Sequence, residues 1–375
     1  VLDDDRIGSL LPAPVPNAPV SALVALPNGQ LLVGGGFTRI NNTEVPPLVR
    51  LNALGEIDPT FVAPRFTSTK TPNPHVTPPW INAIKVLTNG NLIVCGALGF
   101  ANGEYVGNVA QLRPDGSIDP DFQRIGFDGR VADVLVQEDG RLLVIGSFDH
   151  AGTEPVRGLV RLQPDGSLDS TFALAPGFEG SFVIPLGGTI QSDGRILVGG
   201  YLASYNRQDL QNVVRLNTDG SLDSSFPLLK SGLSGPPTAF LSLADGTTYI
   251  GGMFQQAASR SSGRLIRLTE RGAFDTSYQT PLPNGEIFSM LAAPGGKLLV
   301  CGAFTRIALA DRRYVALLNE NGTLDPSFDL GIGAGDHVWA STLSSGGHLW
   351  LGGTFSTLNN QTAPYLAKLR FADTP

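Results

Sequence analysis

The stretch Leu31-Leu32-Val33-Gly34-Gly35-Gly36-Phe37 decides the fold, because variants of it recur along the whole chain. Aligned on Gly35, seven copies follow one another at intervals of 50 to 61 residues. The anchor glycines of the seven copies are Gly35, Gly96, Gly146, Gly200, Gly252, Gly302 and Gly353. Self-similarity at such a period is the signature of a repeat architecture, so we number the copies as units 1 to 7.

Each unit begins with a predicted β-hairpin. A second glycine stands six residues before every anchor, and Asn or Asp precedes it in five units, as in Asn28-Gly29. Asn-Gly and Asp-Gly tolerate the positive φ angles of tight hairpin turns. Apolar runs flank this turn, for example Val20 to Leu26 and Leu31 to Val33. These runs predict two antiparallel strands, A and B.

A second module follows each hairpin. In unit 3 it reads Leu159-Val160-Arg161-Leu162-Gln163-Pro164-Asp165-Gly166-Ser167-Leu168-Asp169-Ser170-Thr171-Phe172. Six units carry an aspartate three residues after the turn glycine and an aromatic three residues further on. The aspartates are Asp58, Asp119, Asp169, Asp223, Asp275 and Asp325, and the aromatics are Phe61, Phe122, Phe172, Phe226, Tyr278 and Phe328. The pattern predicts strand C, a tight turn, and a short strand D whose aromatic packs between neighbouring units.

Four short antiparallel strands per unit, with no helical period, are typical of a propeller blade. A parallel β-helix would need a shorter period, and an immunoglobulin-like tandem needs about 100 residues per domain. The sequence therefore predicts an all-β fold: one seven-bladed β-propeller of four-stranded antiparallel blades over residues 1–375. The blades are expected at about 20–61, 81–122, 131–172, 184–226, 237–278, 287–328 and 338–371 plus 1–6.

The chain ends predict how the ring closes. Unit 7 stops after its strand C, Tyr365 to Arg370, while Val1-Leu2-Asp3 matches the Ser-Leu-Asp of other units. We expect the N-terminal segment to complete the last blade. Arg6 stands in the aromatic slot, so this strand is expected to be loose or shifted.

These motifs resemble the delta-60 repeat family of bacterial secreted and surface proteins. The resemblance rests on the Asp-Gly-Ser-Leu-Asp-x-x-Phe pattern and the Val-Gly-Gly hairpin, which cover nearly the whole chain. It implies the propeller fold and an extracellular or cell-surface location, and it implies no particular activity. The first residues, Val1 to Arg6, do not read as a signal peptide.

Composition excludes some classes of partner. The chain has 26 Lys and Arg against 33 Asp and Glu, a net charge of -7, and no basic cluster, so we expect no nucleic-acid partner. No apolar run approaches the roughly 18 residues that cross a membrane, so we expect no membrane insertion. Cys95 and Cys301 share one apolar slot in units 2 and 6, which predicts separate, buried, inert thiols.

Several motifs that suggest chemistry also have a structural interpretation. The repeated aspartates could bind calcium, but single carboxylates in separate blades fit turn caps better. The strand C arginines, such as Arg161, could form an anion-binding site, but pairing with a local aspartate is favoured. Asp149-His150 and Asp336-His337 lack a third metal ligand. Nucleophile elbows and P-loops are absent from the sequence. We therefore predict no catalytic residue, metal or cofactor, although paired carboxylates for glycoside chemistry remain open.

A binding site is expected on the face where the D–A and B–C connections crowd the channel, because those loops vary most between units. The longest connection, Val62 to Trp80, contains His75. Aromatic, arginine and charged side chains dominate recognition surfaces. The candidate binding residues are Trp80, Asp128, Arg130, Tyr205, Arg207, Asp336, His337 and Trp339. Gly187-Gly188 in strand A of unit 4 predicts either a bent strand or a close backbone approach.

Three functions are compatible with this pattern. The leading hypothesis is a non-catalytic binding module of a secreted or surface bacterial protein, a monomeric domain of a larger protein that recognises a glycan or protein ligand. The second is a hydrolase or lyase that acts on polysaccharide at the channel mouth, by fold analogy. The third is a structural spacer domain.

Overall fold

The computed structural model describes residues 8–68, 78–172, 177–228, 231–258 and 260–371. Within them the chain is almost wholly β: 38 strands and one three-residue 3-10 helix, Pro294–Gly296. The all-β prediction is thereby confirmed. In this part of the chain no helix has the length and apolarity that crossing a membrane requires.

Each unit contributes three strands that pair in the order A–B–C, giving seven sheets in the described residues. Strands A are Val20–Ala25, Trp80–Val86, Arg130–Val136, Ile184–Ile190, Pro237–Ser242, Ile287–Ala293 and Val338–Leu343. Strands B are Leu31–Gly35, Leu92–Ala97, Leu142–Ser147, Ile196–Tyr201, Thr248–Gly252, Lys297–Gly302 and His348–Gly353. Strands C are Leu48–Leu51, Val109–Leu112, Leu159–Leu162, Val213–Leu216, Leu265–Leu268, Val315–Leu318 and Leu366–Arg370. The predicted A–B hairpin is present in every unit.

A small hairpin joins strand B to strand C in each unit. Its paired strands are Arg39–Ile40 with Thr43–Glu44, Phe100–Ala101 with Glu104–Tyr105, His150–Ala151 with Glu154–Pro155, Ser204–Tyr205 with Gln208–Asp209, Gln256–Ala257 with Arg260–Ser261, Arg306–Ile307 with Ala310–Asp311, and Thr357–Leu358 with Gln361–Thr362. The segment leading from the previous unit pairs with it, as Phe66–Thr67 does in unit 2 and Phe178–Glu179 in unit 4. The variable loops are thus tied to the sheets.

The prediction that strand D is a regular β-strand is wrong. After the glycine turn, the chain returns to strand C for one bridging residue in six units, as Leu168 does opposite Leu162. The next aspartate ends the extended segment, because its side chain accepts the backbone N–H two residues later and its carbonyl closes a further turn, from Phe172 N–H to Asp169 in unit 3. The sheets of these units therefore have three strands and a bridge.

The core lies between the sheets. The second module of each unit, which runs from strand C through the glycine turn to the aromatic, is called the outer module. Its aromatic is buried in the six units that carry one, as predicted, and packs with residues of the following unit. Phe61 of unit 1, for example, shares a cluster with Ile81 and Leu112 of unit 2. Cys95 and Cys301 are both buried and unpaired, and burial raises the pKa of the Cys301 thiol to about 12. The prediction of separate buried thiols is confirmed.

Strands A form the innermost layer. The strand A of each unit contacts that of the next, and strand A of unit 7 contacts strand A of unit 1. Leu10–Leu11 adds a fourth strand to the unit 7 sheet, with Leu10 opposite Leu369 and Leu11 opposite Lys368. The residues predicted for this role, 1–6, lie outside the described residues, and the described pairing is made by the segment that follows them.

Every strand A carries one β-bulge at the same position, immediately after its first or second residue. The extra residues are Ser21, Asn82, Ala132, Leu186, Thr238, Phe288 and Trp339. Where this residue is polar, its side chain donates a hydrogen bond to a backbone carbonyl of the next unit: Ser21 to Ile81, Asn82 to Val131, and Thr238 to Ile287. Bulges re-aim side chains, and here they direct one side chain per unit to the same end of the inner layer.

Candidate functional site

The repeated aspartates and arginines of the outer modules form structural ion pairs. In unit 3, Arg161 Nε lies 2.7 Å from Asp169 Oδ2, and the two side chains are 5% and 0% exposed. Burial by itself would raise the pKa of Asp169, but hydrogen bonds from Thr171 and Arg161 outweigh it and lower the pKa. The same guanidinium donates to the Thr218 carbonyl of unit 4. Units 1 and 5 repeat the arrangement, so the structural interpretation of this motif is confirmed.

We call the end of the inner layer that holds the bulges the mouth face. It comprises the first residue of each strand A, the bulge residue, and the residue that follows each anchor glycine. The small hairpins surround it. The segment that enters strand A and the connection from strand B to strand C meet here in every unit, which makes this the face where the sequence predicts a binding site.

Two predicted residues, Trp80 and Trp339, form an aromatic pair on this face. Their ring centroids are 6.0 Å apart and their planes are inclined by 57°. Trp80 begins strand A of unit 2, Trp339 is the bulge residue of unit 7, and Gly36 of unit 1 lies beneath Trp80. A Cβ at Gly36 would overlap the ring carbons of Trp80. Both indoles are only partly buried, so the pair offers ring surface to a ligand.

His337 and Asp336 precede strand A of unit 7, two and three residues before Trp339, and His337 packs against unit 6. The His337 ring centroid lies 6.0 Å from that of Phe288 and 5.7 Å from that of Tyr314, and its Nε2 is 3.6 Å from Asp336 Oδ1. The two side chains are 43% and 50% exposed. Four of the eight predicted residues therefore lie in units 7 and 2 around unit 1.

Asp128 and Arg130 lie in unit 3. Asp128 accepts hydrogen bonds from the backbone N–H of Asp149 and His150, and its Oδ2 is 2.8 Å from His150 Nδ1. Asn17, Ser234 and Asn284 make the same two backbone bonds in units 1, 5 and 6. Asp128 thus fixes a small hairpin. Arg130 begins strand A on the mouth face, and its guanidinium donates to Asn82 Oδ1 at 2.7 Å.

Tyr205 and Arg207 lie away from the mouth. Tyr205 is fully buried, and its hydroxyl donates to the Gly220 carbonyl at 2.7 Å. The other six units place Ile40, Ala101, Ala151, Ala257, Ile307 and Leu358 in this slot, all buried, so its side chain points inward and Tyr205 is not a surface residue. Arg207 is exposed at the tip of the same hairpin, where its backbone N–H donates to Glu179 Oε2.

A second aromatic cluster was missed in the sequence. Phe182 and Tyr201 are 59% and 39% exposed, with ring centroids 5.6 Å apart in an edge-to-face arrangement. The Tyr201 hydroxyl is 3.8 Å from Met253 Sδ of unit 5. Tyr201 follows the anchor Gly200, a slot that is Gly, Ala, Ser or Thr in five of the other units. A tyrosine in a slot that is otherwise mostly small was the signal in the sequence that could have identified this cluster.

No group of three or more His, Cys, Asp or Glu side chains in the described ranges could hold a metal ion. His75 lies outside those ranges. The mouth face offers ring surfaces, a guanidinium and carboxylates, which can bind and orient a ligand.

Several solved structures have a fold similar to that of this chain. The chain is similar to selenomethionine-substituted virginiamycin B lyase from Staphylococcus aureus, with 12% identity, coverage of 95% of this chain and 96% of that one, and a TM-score of 0.56. It is similar to the extracellular domain of a one-component system of B. thetaiotaomicron, with 13% identity, coverage of 99% and 43%, and a TM-score of 0.55. The WD40 propeller domain of Doa1 matches at 11% identity, 97% of both chains, and a TM-score of 0.59. At such identities the likeness shows the fold alone, an all-β propeller.

A search of curated proteins by sequence found no match. A family model described as "Domain of unknown function (DUF5122) beta-propeller" matches six stretches that together cover more than half of the chain. The matched residues are 26–61, 87–122, 137–172, 191–226, 243–278 and 294–328. Each stretch runs from the A–B turn to the buried aromatic of the outer module. The chain therefore belongs to the DUF5122 β-propeller family.

Proposed function

We propose that this protein is a non-catalytic binding module of a secreted or surface bacterial protein, and that it recognises a glycan or a protein through the mouth face. The observation that carries the proposal is the Trp80–Trp339 pair, two partly exposed indoles held at 6.0 Å on rigid strand ends. Tryptophan supplies a large contact area and is enriched among the residues that dominate binding energy. His337 and Asp336, two and three residues before Trp339, add polar groups at the same end of strand A of unit 7. The likeness to extracellular domains of B. thetaiotaomicron proteins supports the location.

The proposal includes the architecture that presents this face. The seven A–B–C sheets are seven blades of one closed ring, and the units are the delta-60 repeats that the sequence resembles. The contact between strands A of units 1 and 7 and the pairing of Leu10–Leu11 with Leu366–Arg370 support closure at the N-terminal segment. We further propose that the domain is monomeric and binds neither nucleic acid nor membrane.

A binding screen tests the function. Glycan arrays and pull-downs from extracellular fractions are carried out with the native protein, Trp80→Ala, Trp339→Ala, and the control Leu54→Ala. Leu54 is 78% exposed in the outer turn of unit 1, away from the mouth face. Each tryptophan variant is expected to bind at least about tenfold more weakly, since such anchors contribute about 2 kcal/mol. The control should bind as the native protein does.

Two results would overturn the proposal. If the native protein captures no glycan and no protein, or if both tryptophan variants bind as tightly as the native protein, the mouth face is not the recognition surface. If mass spectrometry finds the captured glycan cleaved at a rate that depends on the mouth face, the protein is a hydrolase or lyase instead. Circular dichroism of each variant establishes that it is folded.

A further inference from the structure

The mouth face carries two separate aromatic clusters. The first is the tryptophan pair, Trp80 and Trp339, between units 7 and 2. The second, which we call the unit 4 cluster, is Phe182 and Tyr201, with Met253 of unit 5 against the Tyr201 hydroxyl. Phe182 and Tyr201 are among the most exposed aromatic side chains of the described residues. Leaving such rings in water is unfavourable, and an exposed apolar surface on a rigid scaffold marks an interaction site.

The two clusters lie on opposite sides of the mouth. Strands A contact one another in unit order, and unit 7 contacts unit 1. Unit 4 is therefore two steps from unit 2, which holds Trp80, in one direction and three steps from unit 7, which holds Trp339, in the other. A ligand that touches both clusters has to cross the mouth.

Along units 2 and 3 the residues between the clusters are small or polar, whereas on the other side the unit 6 bulge residue Phe288 presents a ring beside His337. In the slot that follows the anchor glycine, units 2, 3 and 6 carry Ala97, Ser147 and Ala303, and the neighbouring bulge residues include Asn82 and Ala132. Protein interfaces have a contiguous apolar centre inside a polar rim. On the side of units 2 and 3 the mouth face has a different arrangement, two aromatic surfaces separated by small side chains. That spacing fits a chain of rings, in which each ring has an apolar face and a hydroxylated edge.

The charges at the mouth are few and mixed. Among the described residues that begin strands A or directly precede them, Arg130 and Glu286 are charged at neutral pH, and Asp336 lies one residue further from strand A of unit 7. The Arg130 guanidinium donates to Asn82, and Asp336 lies beside His337. A polyanion or polycation would find no matching field here. The electrostatics favour an uncharged ligand.

We propose that the mouth face binds one neutral oligosaccharide chain laid across the mouth, with one sugar ring on the Trp80–Trp339 pair and a later ring on the unit 4 cluster. The inference rests on the proposed function and extends it in two ways. It selects uncharged glycans over proteins and acidic glycans, and it assigns Phe182 and Tyr201 to a second subsite that engages only ligands long enough to reach it.

The test measures affinity against ligand length. Isothermal titration calorimetry uses cello-, manno-, xylo- and laminari-oligosaccharides from the disaccharide upward, with oligogalacturonides as an acidic series. The proteins are native, Trp80→Ala, the double variant Phe182→Ala/Tyr201→Thr, and the control Leu54→Ala. Threonine at position 201 is the residue that unit 7 carries in this slot as Thr354, so the change is compatible with the strand.

The expected result is specific to length. For at least one neutral series, the native affinity rises with length until both clusters are covered. The double variant binds the shortest ligand as the native protein does and binds the longest about tenfold more weakly. Trp80→Ala weakens binding at every length.

The remaining outcomes overturn the inference. If the double variant matches the native protein at every length, there is no second subsite, while the loss in Trp80→Ala still supports the proposed function. If only acidic oligosaccharides or a protein bind, the ligand class is wrong and the proposed function survives. If no ligand binds and Trp80→Ala changes nothing, both fail.

Discussion

The aspartate that follows each strand C joins three parts of its unit. Asp169 caps its own turn through Thr171, pairs with Arg161 of strand C, and lies 3.4 Å from Arg141 at the start of strand B. Arg161 in turn donates to unit 4. The motif that first suggests calcium or an anion site is thus an internal clamp, and its buried guanidinium also covers the ring of Phe172.

Acid should weaken these clamps. Hydrogen bonds from Thr60 lower the pKa of Asp58, and in Asp169, Asp223, Asp275 and Asp325 hydrogen bonds and ion pairs outweigh burial and also lower the pKa. A folded-state pKa below the unfolded value stabilises the protein above about pH 4, and this stability is lost as the pH falls through the lower folded value. Urea midpoints should therefore hold from pH 7 to about pH 5 and fall steeply below about pH 4.

Asp169→Asn separates this effect from general acid unfolding. The variant should lose about 3 kcal/mol at pH 7, because Arg161 is left buried without its counter-charge, and should lose less further stability on acidification. Asp311→Asn is the control, since that side chain is 91% exposed. A variant that follows the native pH curve at native stability would contradict the clamp.

A second prediction concerns Gly36. Alanine there should displace Trp80, since a Cβ would overlap the indole, while the backbone of Gly36 lies outside the left-handed region. Tryptophan emission should shift and acrylamide quenching should rise, with ligand affinity reduced about as in Trp80→Ala. Leu54→Ala, in the exposed outer turn of the same unit, should change none of these three quantities. Unaltered fluorescence in Gly36→Ala would show that the indole is held by other contacts.

Among the elements, strand A determines which side chains reach the mouth face. Its bulge turns one side chain per unit toward the mouth. In some units that side chain bonds to the next unit, and in others it is exposed on the mouth face. Ser21, Asn82 and Thr238 hold the next unit, whereas Phe288 and Trp339 present rings. The same β-bulge therefore supplies structural contacts in some units and exposed side chains in others.

Strand A of unit 4 tests the role of its two glycines. A Cβ at Gly187 would come no nearer than 3.9 Å to its neighbours, so Gly187→Ala should stabilise the protein by about 0.5 to 1 kcal/mol. A Cβ at Gly188 would overlap the Leu197 carbonyl, so Gly188→Ala should destabilise it by more than about 1 kcal/mol. Urea unfolding measures both. Equal effects in the two variants would be inconsistent with a close approach at Gly188 alone.

At the scale of the whole molecule, one strand pairing joins units 1 and 7 of the described residues. Leu10–Leu11 occupies the outer edge of the unit 7 sheet, and Leu10 packs against the core of that unit. Removing residues through Leu11 should lower the melting temperature by at least roughly 4 °C, from the lost burial and strand pairing. Leu54→Ala should stay within about 1 °C of the native protein. A truncated chain that melts with the native one would show that the fourth strand adds no stability.

The repeat made the scaffold predictable, and the site only in part. Glycine spacing located every A–B hairpin, because the turn requires residues that tolerate positive φ. The prediction of strand D failed because the aspartate side chain caps a turn and ends the extended segment. The residue pattern alone does not reveal this capping. Tyr205 and Tyr201 are four residues apart, yet one is buried and the other exposed. The sequence favoured Tyr205, the buried one. The position that Tyr205 occupies in the small hairpin is recognisable as buried only when all seven units are superposed.

The pairing of Leu10 with Leu369 connects residues 359 positions apart. During synthesis the first partner is finished long before the second exists, so this contact cannot form early, and its closing entropy is among the largest in the described residues. Until then strand C of unit 7 presents an open edge, and any copy of the first strand can fill it. At high concentration that edge favours exchange of first strands between two molecules, and a swapped dimer is the characteristic misassembly to expect of this chain.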